Sequence, residues 1–251
     1  MGGMTVVLVH GNPETDAIWG PLVDALERTD VVRLSPPGFG APLPDDFAAT
    51  YTGYRDWLGA ELARFPEPVD LVGHDWGGGH AVNAVMARPD LVRSWVSDVL
   101  GIYDPDYVWH DMARVWQTPG DGEDLVDAML GGTVGERAEH VASLGIPADI
   151  AAALAEGQTP EMGRAILTLY RSAAQPALTD IARDLDRAAA RPGLSIVATE
   201  DGYVGTEEMK RRAAARAGAR TEVLDGLGHW WMLQDPQRGA DALTRFWESL
   251  T

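Results

Sequence analysis

The segment LVGHDWGGGH, residues 71–80, has the pattern of a buried strand that ends in a tight, glycine-framed turn and leads into a helix. The motif G-x-S-x-G is typical of such a turn and carries a nucleophilic serine at its centre. Here the frame reads GHDWG, and Asp75 occupies the central position. A carboxylate at this apex faces the crevice where parallel sheets bind ligands, and the following helix N-terminus favours its ionised form. An aspartate that only caps the helix is the alternative interpretation.

Short apolar segments rich in β-branched residues predict six strands around this turn, at residues 5–9, 31–34, 69–72, 93–99, 194–199 and 221–224. Helical patterns lie between most of them, at residues 18–28, 51–65, 77–87, 207–217 and 240–250. Apolar strands that alternate with helices are typical of an α/β protein with a parallel sheet covered on both faces. Residues 101–192 keep helical periodicity without a convincing strand. We therefore predict a core formed by residues 1–100 and 193–251, with a helical insertion at 101–192.

Composition limits the classes of partner. The 251 residues are 45% hydrophobic, which is enough for one large α/β domain, and the formal net charge of −18 argues against nucleic acid and anionic membranes. The absence of cysteine excludes disulfides, a thiol nucleophile and cysteine-bound metal. The sequence shows no signal peptide and no apolar run of membrane-spanning length, so we expect a cytoplasmic protein. The sequence does not decide the oligomeric state, and a homodimer remains an open alternative.

Two further turns follow predicted strands and lead toward the same crevice. HGNP, residues 10–13, follows the first strand, where a backbone N–H and that of Trp76 would form a two-donor oxyanion hole. GLGHWW, residues 226–231, places His229 after the last strand, at the position expected of a general base. Taken singly, HGNP could equally be an ordinary turn at the end of a strand, and His229 could equally be an ordinary surface histidine.

An acid that orients this histidine has two candidates. Asp201 lies just past the strand at residues 194–199, and Asp98 lies at the end of the strand before the insertion. The order nucleophile, acid, histidine holds for either aspartate, and Glu200 is a weaker third candidate. The residues alone leave this choice open, although we favour Asp201.

Together, the motifs HGNP, PGFG, VGHDWGGG, TED and GLGHW resemble, in this order, the α/β-hydrolase superfamily. They resemble in particular its branch of epoxide hydrolases and haloalkane dehalogenases, whose nucleophile is an aspartate. The resemblance runs from about residue 5 to the C-terminus and implies that residues 101–192 form a helical lid. Sheets of this family usually begin with two further strands, so we expect a trimmed, mostly parallel sheet of about six.

The resemblance also implies a mechanism without metal or organic cofactor. A carboxylate such as Asp75 attacks an electrophilic saturated carbon and becomes an ester, and water activated by His229 hydrolyses that ester. A small apolar electrophile is the expected substrate. Some proteins of this fold bind small ligands without turning them over, so a non-catalytic binder is the alternative from another class.

Two electrophiles remain open. The segment LTLYRSAAQ resembles the lid segment of epoxide hydrolases, whose tyrosine protonates the epoxide oxygen; Tyr170 is the candidate, with Tyr103 or Tyr107 as its partner. Packing alone is the alternative role of such a tyrosine. An epoxide hydrolase is the favoured prediction.

The second electrophile is a haloalkane. Asn12 and Trp76 resemble the amide and indole pair that holds the departing halide in some dehalogenases. Trp109 and His110 resemble lid elements of fluoroacetate-type dehalogenases and are candidate substrate-binding residues. Those enzymes place arginine after the nucleophile, whereas this chain has Trp76, so a carboxylate substrate is disfavoured.

Overall fold

The sheet has six strands, all parallel. A computed structural model describes residues 4–250; residues 1–3 and 251, the ends of the predicted core, lie outside this range. The strands lie in the order β2-β1-β3-β4-β5-β6. Their bounds are β1 Val6–Val9, β2 Val31–Leu34, β3 Val69–Gly73, β4 Val92–Ser97, β5 Gly193–Ala198 and β6 Ala219–Leu224. The prediction of an α/β fold with about six parallel strands is confirmed.

The strand order places the ends of β1, β3 and β4 side by side. Val9 pairs with Gly73, and Gly73 pairs with Ser97. In a parallel sheet, neighbouring strands end at the same edge, so the segments that follow them meet there. This register brings the HGNP turn and the GHDWG turn into contact.

Twelve α-helices are described between residues 4 and 250. Their bounds are α1 Gly20–Leu26, α2 Tyr51–Leu62, α3 Trp76–Ala87, α4 Asp111–Gln117, α5 Asp121–Leu130, α6 Val134–Ser143, α7 Ala148–Gly157, α8 Pro160–Ser172, α9 Ala177–Ala182, α10 Glu207–Arg216, α11 Trp231–Gln234 and α12 Pro236–Glu248. None of the described helices is long and apolar enough to cross a membrane.

The ends of two helices differ from the prediction for local reasons. The helix predicted at 240–250 begins earlier, because the Asp235 side chain accepts a hydrogen bond from the N–H of Arg238 and Pro236 suits the first turn. The helix predicted at 18–28 begins as a 3₁₀ turn and ends at Leu26, because Glu27 adopts a left-handed conformation with φ of 49°.

Both faces of the sheet are covered. Along β1, Val7 and Val9 pack into one apolar cluster, while Val6 and Leu8 pack into the cluster on the other face. All four side chains are completely buried. This agrees with the continuous apolar sequence of the strand, since alternate side chains point to opposite faces.

The chain between β4 and β5 forms helices α4 to α9 and short 3₁₀ turns, with no strand in this part of the described structure. Helix α8 presents an apolar stripe, on which Met162, Ile166, Leu169 and Tyr170 are buried at helical spacing. It packs with α4 and α5, while α6 packs on α7. The C-terminal half of α8 therefore carries Tyr170 into the molecule.

Candidate active site

Asp75 lies at a strained turn between β3 and α3. Its φ of 50° and ψ of −129° fall outside the regions that ordinary residues prefer. The turn approaches β1 so closely that a Cβ at Gly77 would lie 2.1 Å from the carbonyl oxygen of Val9. A glycine there is therefore a steric requirement, and the turn holds the Asp75 side chain out from the sheet edge.

The two carboxylate oxygens of Asp75 have different surroundings. Oδ1 accepts a hydrogen bond of 3.0 Å from the backbone N–H of Asn12, while Oδ2 lies 3.8 Å from Nε2 of His229. A Cβ at Gly11 would lie 2.1 Å from Oδ1, so only glycine permits this approach. Burial raises the pKa of Asp75 to about 6, against the opposing effect of His229.

His229 is held from behind by Asp201. Nδ1 of His229 lies 3.0 Å from Oδ2 of Asp201, whose Oδ1 accepts the N–H of Tyr203. Burial opposes ionisation of Asp201, but His229 and then Lys210 outweigh it and hold the pKa of Asp201 at about 2. Burial lowers the pKa of His229, and the stronger effect of Asp201 raises it above its usual value.

The structure contradicts the alternative in which Asp98 contacts this imidazole. The Asp98 carboxylate lies 2.5 Å from Nδ1 of His74 and accepts hydrogen bonds from the Trp231 indole and the Asp75 N–H. The cause is strand order: β4 pairs with β3, so a residue after β4 meets the turn after β3. Glu200, the weaker candidate, is exposed.

Sequence reasoning missed a buried charged pair beside Asp75. Oε1 of Glu14 lies 3.2 Å from Nε2 of His74 and accepts a 2.6 Å hydrogen bond from the Trp230 indole. Burial works against both charges, yet the carboxylates of Asp98 and Glu14 raise the pKa of His74 well above its usual value. The same pairing lowers the pKa of Glu14 to about 2. The acid directly after HGNP was the available signal.

Glu14, His74 and His229 offer ligand atoms that all lie within 4.8 Å of one another, a spacing that would suit a metal ion. The electrostatics favour a different interpretation. His74 is flanked by two carboxylates, both of which favour its protonated form, and a protonated imidazole has no lone pair for a metal. We interpret this group as an ion-pair network.

Asp75 opens into a pocket of about 730 Å³. Tyr170 and His110, both from the segment between β4 and β5, line it together with Asp75, Asn12 and His229. The predicted residues Asn12, Asp75, His110, Tyr170 and His229 are thus brought to one cavity. Burial lowers the pKa of His110 to about 4, and its Nδ1 accepts the N–H of Ala113 at the start of α4.

Tyr170 is buried and lines the same pocket as Asp75. Its ring meets the Trp76 ring edge-on, with centroids 5.4 Å apart. Burial and the charge of Asp75 raise the pKa of the Tyr170 phenol well above its usual value, while Trp76 and Asn12 lie near enough to oppose that shift. Neither polar atom of the Asn12 side chain has a hydrogen-bond partner among the described residues.

Three aromatic side chains from the segment between β4 and β5 have contacts that differ from the predicted ones. The hydroxyl of Tyr103 donates to the Gly79 carbonyl, and the hydroxyl of Tyr107 donates to the Tyr203 carbonyl, so neither is available as a partner of Tyr170. Trp109 stacks on Trp76 with centroids 5.8 Å apart. Tyr103 and Trp109 are not among the described residues that line the pocket. Both are buried, Trp109 against the rings of Trp76 and Tyr170, and Tyr103 with its hydroxyl bonded to Gly79.

Comparison with known families agrees with this architecture. A model of the alpha/beta hydrolase family matches residues 6–242, which include all six strands and the segment between β4 and β5. The chain belongs to the alpha/beta hydrolase family.

Individual relatives are more distant from this alpha/beta hydrolase. It is 33% identical to an epoxide hydrolase from Caballeronia sordidicola over 97 residues, which cover 37% of this chain and 30% of that protein. It is 34% identical to a probable oxidoreductase, EphD, from Mycobacterium tuberculosis (strain ATCC 25618 / H37Rv) over 125 residues, which cover 46% of this chain and 21% of that protein. The matched segments thus span less than a third of each curated relative.

Solved structures resemble the whole chain. A loop variant of the haloalkane dehalogenase DbeA from Bradyrhizobium elkanii matches with a TM-score of 0.75 and 18% identity, over 99% of this chain and 90% of that one. At this level of identity, the similarity establishes a shared fold for this alpha/beta hydrolase.

Proposed function

We propose that this alpha/beta hydrolase is an epoxide hydrolase in which Asp75 is the nucleophile. The observation that carries the proposal is the buried Tyr170 phenol in the same pocket as Asp75. An alkoxide is a poor leaving group, so opening an epoxide needs a proton donor, whereas losing a halide does not. The raised pKa of Tyr170 keeps its hydroxyl protonated and able to donate. The name of the Caballeronia sordidicola relative agrees with this choice.

In the first step, Oδ2 of Asp75 attacks one epoxide carbon and the carbon–oxygen bond of the ring breaks. Tyr170 donates its proton to the released oxygen, so the product is a β-hydroxy ester on Asp75. The backbone hydrogen bond from Asn12 to Oδ1 fixes the carboxylate with its other oxygen free to react. Residues 101–192 act as a lid, because they supply Tyr170 and His110 to the pocket.

In the second step, Nε2 of His229 takes a proton from water, and the oxygen of that water attacks Cγ of Asp75. Asp201 stabilises the imidazolium that forms. The Asn12 N–H stabilises the negative charge on Oδ1, and Trp76, the first residue of α3, supplies a second free N–H. His229 then protonates the departing diol oxygen, and the second water hydrogen restores the Tyr170 phenol. The residues need no metal or organic cofactor for these steps.

A haloalkane dehalogenase is the second candidate, and one observation favours it. The Asn12 side-chain amide is buried without a hydrogen-bond partner among the described residues, and both Asn12 and Trp76 lie near enough to the Tyr170 phenol to oppose the rise of its pKa. Buried polar groups are normally paired, so an unpaired amide beside an indole suits an anion such as a departing halide. The Tyr170 hydroxyl would compete with a halide for the position next to Asn12 and Trp76. An epoxide hydrolase therefore remains the first candidate.

Trapping of the ester tests both candidates in one measurement. The variant His229→Gln should form the adduct with Asp75 and fail to hydrolyse it, because only the second step needs the base. Intact-protein mass spectrometry of this variant with styrene oxide should show an increase equal to the whole epoxide. A short bromoalkane would add its mass less one hydrogen bromide.

We expect the epoxide adduct, located by peptide mapping on the segment that contains Asp75, and little or none from the bromoalkane. The double variant Asp75→Asn/His229→Gln is the matched control and should stay unmodified. A bromoalkane adduct alone would favour the dehalogenase. Turnover by the wild type without any adduct in His229→Gln would exclude the aspartate nucleophile. Neither turnover nor adduct with either compound would favour a non-catalytic binder.

A further inference from the structure

The basic residues of this chain are almost all arginines. Of its 20 lysines and arginines, one is a lysine, Lys210 in helix α10. It is also the only lysine or arginine that is buried between residues 4 and 250, with 2% of its surface exposed. A buried ammonium loses its hydration, so a folded protein keeps it only where partners compensate the charge. The partners of this ammonium therefore indicate what the charge does.

The ammonium bonds to the turn that carries Asp201. Nζ of Lys210 donates hydrogen bonds of 3.2 Å to the carbonyl oxygen of Ala198 and of 3.0 Å to that of Asp201. Ala198 is the last residue of β5, so the two bonds span the chain from the end of the strand to the acid. Hydrogen bonds from a charged donor are stronger than those between neutral groups. Lys210 thus fixes the backbone of this turn.

The charge of Lys210 also acts on the Asp201 carboxylate. Burial lowers the pKa of Lys210, and among the groups that oppose this effect Asp201 comes first, before Asp98 and Glu207. In turn, Lys210 is the charge that, after His229, most lowers the pKa of Asp201. When His229 is neutral, the ammonium remains to compensate the buried Asp201 carboxylate.

The surroundings of the side chain suit lysine rather than arginine. Gly101, in the 3₁₀ turn after β4, lies so close that a Cβ there would be 3.1 Å from Cγ of Lys210 and 2.0 Å from the carbonyl oxygen of Val204. The lysine stem therefore passes through a narrow space between the segments that follow β4 and β5. A compact ammonium reaches the two carbonyls there, whereas the planar guanidinium of arginine is larger and presents its donors in a rigid fork.

We propose that Lys210 is a positioning residue for the water-activating pair His229 and Asp201. Its ammonium holds the turn in which the Asp201 carboxylate faces Nδ1 of His229, and it compensates that carboxylate before the imidazole takes a proton. The effect on the rate rests on the proposed epoxide hydrolysis and concerns its second step alone, because ester formation needs no imidazole. The contact of Lys210 with the Asp201 turn exists without turnover.

The first test needs no substrate. Because Lys210 is the only lysine, growth on isotope-labelled lysine gives a single side-chain signal in a nuclear magnetic resonance spectrum. The titration of its Cε shift reports the pKa of Lys210. This pKa should decrease in Asp201→Asn, because the variant lacks the carboxylate that most opposes the effect of burial. Asp45→Asn, at an exposed carboxylate, is the control and should leave the titration unchanged. Equal titrations of the wild type and Asp201→Asn would overturn the proposal.

The second test removes the ammonium and keeps the stem. Lys210→Met should form the ester on Asp75 in a single turnover at the wild-type rate, whereas hydrolysis of the ester should slow by about 10- to 100-fold, the scale of a misplaced catalytic group. The ester should therefore accumulate during turnover and appear in intact-protein mass spectrometry. A variant that only folds less well loses the same fraction of both steps and accumulates no ester. Lys210→Gln, with a shorter neutral donor, serves if the methionine variant does not fold.

Arg211→Met is the matched control, because Arg211 lies on the exposed side of the same helix and bonds to Glu207; both rates should stay at the wild-type level. Equal losses in the two steps of Lys210→Met, or no loss in either, would overturn the proposal. If the wild type turns over no epoxide, the proposed reaction is wrong, and the titration of Lys210 in Asp201→Asn alone decides whether the ammonium acts on Asp201.

Discussion

The imidazole of His229 lies between two carboxylates but is bonded to one of them. Nδ1 is 3.0 Å from Asp201, a hydrogen-bonding distance, whereas Nε2 is 3.8 Å from Oδ2 of Asp75, which is too long for a hydrogen bond. Asp201 therefore orients the ring through Nδ1, while Nε2 makes no hydrogen bond to Asp75. This arrangement suits a base that acts on water after Asp75 has been esterified, rather than one that activates Asp75.

Removal of the base should separate the two proposed steps in time. His229→Ala should consume about one equivalent of epoxide and then stop, because ester formation does not need the imidazole. Rapid-quench measurement of diol and residual epoxide against enzyme concentration gives this stoichiometry. Multiple turnovers at the wild-type rate would remove His229 from the mechanism.

The two candidate acids should differ sharply in their effect on rate. Asp201→Asn should lower multiple-turnover activity by on the order of 10³-fold or more, since the imidazolium loses its charged partner. Asp98→Asn should lose much less activity but lower the melting temperature, because His74 loses one of its two carboxylates. Steady-state kinetics and thermal unfolding of both variants distinguish these effects. A reversed ranking of the rates would assign the acid role to Asp98.

The turns at the ends of the strands could be predicted because the residues that form them are local. Asp75 stands at the centre of a glycine-framed motif, and Asp201 and His229 lie in the short turns that follow β5 and β6. Parallel strands end at one edge, so their meeting follows from the fold class alone. The choice between Asp201 and Asp98 was harder, because it depends on which strands are neighbours.

The features of the site that the sequence did not predict depend on contacts between segments far apart in the chain. Glu14 meets His74 because the turn after β1 packs against the turn after β3, which no single segment of sequence reveals. The positions of the aromatic side chains between β4 and β5 depend on how helices pack: Tyr170 reaches the pocket, while the Tyr103 hydroxyl contacts the Gly79 carbonyl and the Asn83 side chain. Periodicity predicts that such a ring is buried but does not predict its neighbours.

The phenol of Tyr170 should matter for epoxides and not for halides. Tyr170→Phe should lower the rate of epoxide opening by about 10²-fold or more, the usual scale for a general acid. Single-turnover ester formation isolates this step from hydrolysis of the ester. An equal loss with a bromoalkane, if the wild type accepts one, would indicate that Tyr170 only packs against Trp76.

The catalytic activity should decrease as the pH is lowered. Burial raises the pKa of Asp75 to about 6, so this proposed nucleophile becomes protonated as the pH drops through that value. The pKa of His229 is also raised, and the protonated imidazole cannot accept a proton from water. We expect kcat/KM to decrease below about pH 6, measured in buffers of constant ionic strength. A profile that stays flat down to pH 5 would contradict an ionised Asp75 in this setting.

Asp75, the proposed nucleophile, should destabilise the folded protein at the pH where it is ionised. The pKa of Asp75 is raised from 3.8 to about 6 in the folded state. The folded protein therefore binds a proton more tightly than the unfolded chain, and its stability decreases as the pH rises between these values. At one pKa unit per 1.36 kcal/mol, the ionised carboxylate costs about 3 kcal/mol above pH 6.

Asp75→Asn removes this charge and keeps an oxygen for the Asn12 N–H, and asparagine tolerates a positive φ. Its free energy of unfolding in urea should exceed that of the wild type by about 1–3 kcal/mol at pH 8, and the difference should disappear near pH 4, where the folded wild type is protonated. Asp45→Asn, at an exposed carboxylate, controls for the change in net charge. A variant that is no more stable at pH 8, or a gain of equal size at both pH values, would show that burial of Asp75 carries no such cost.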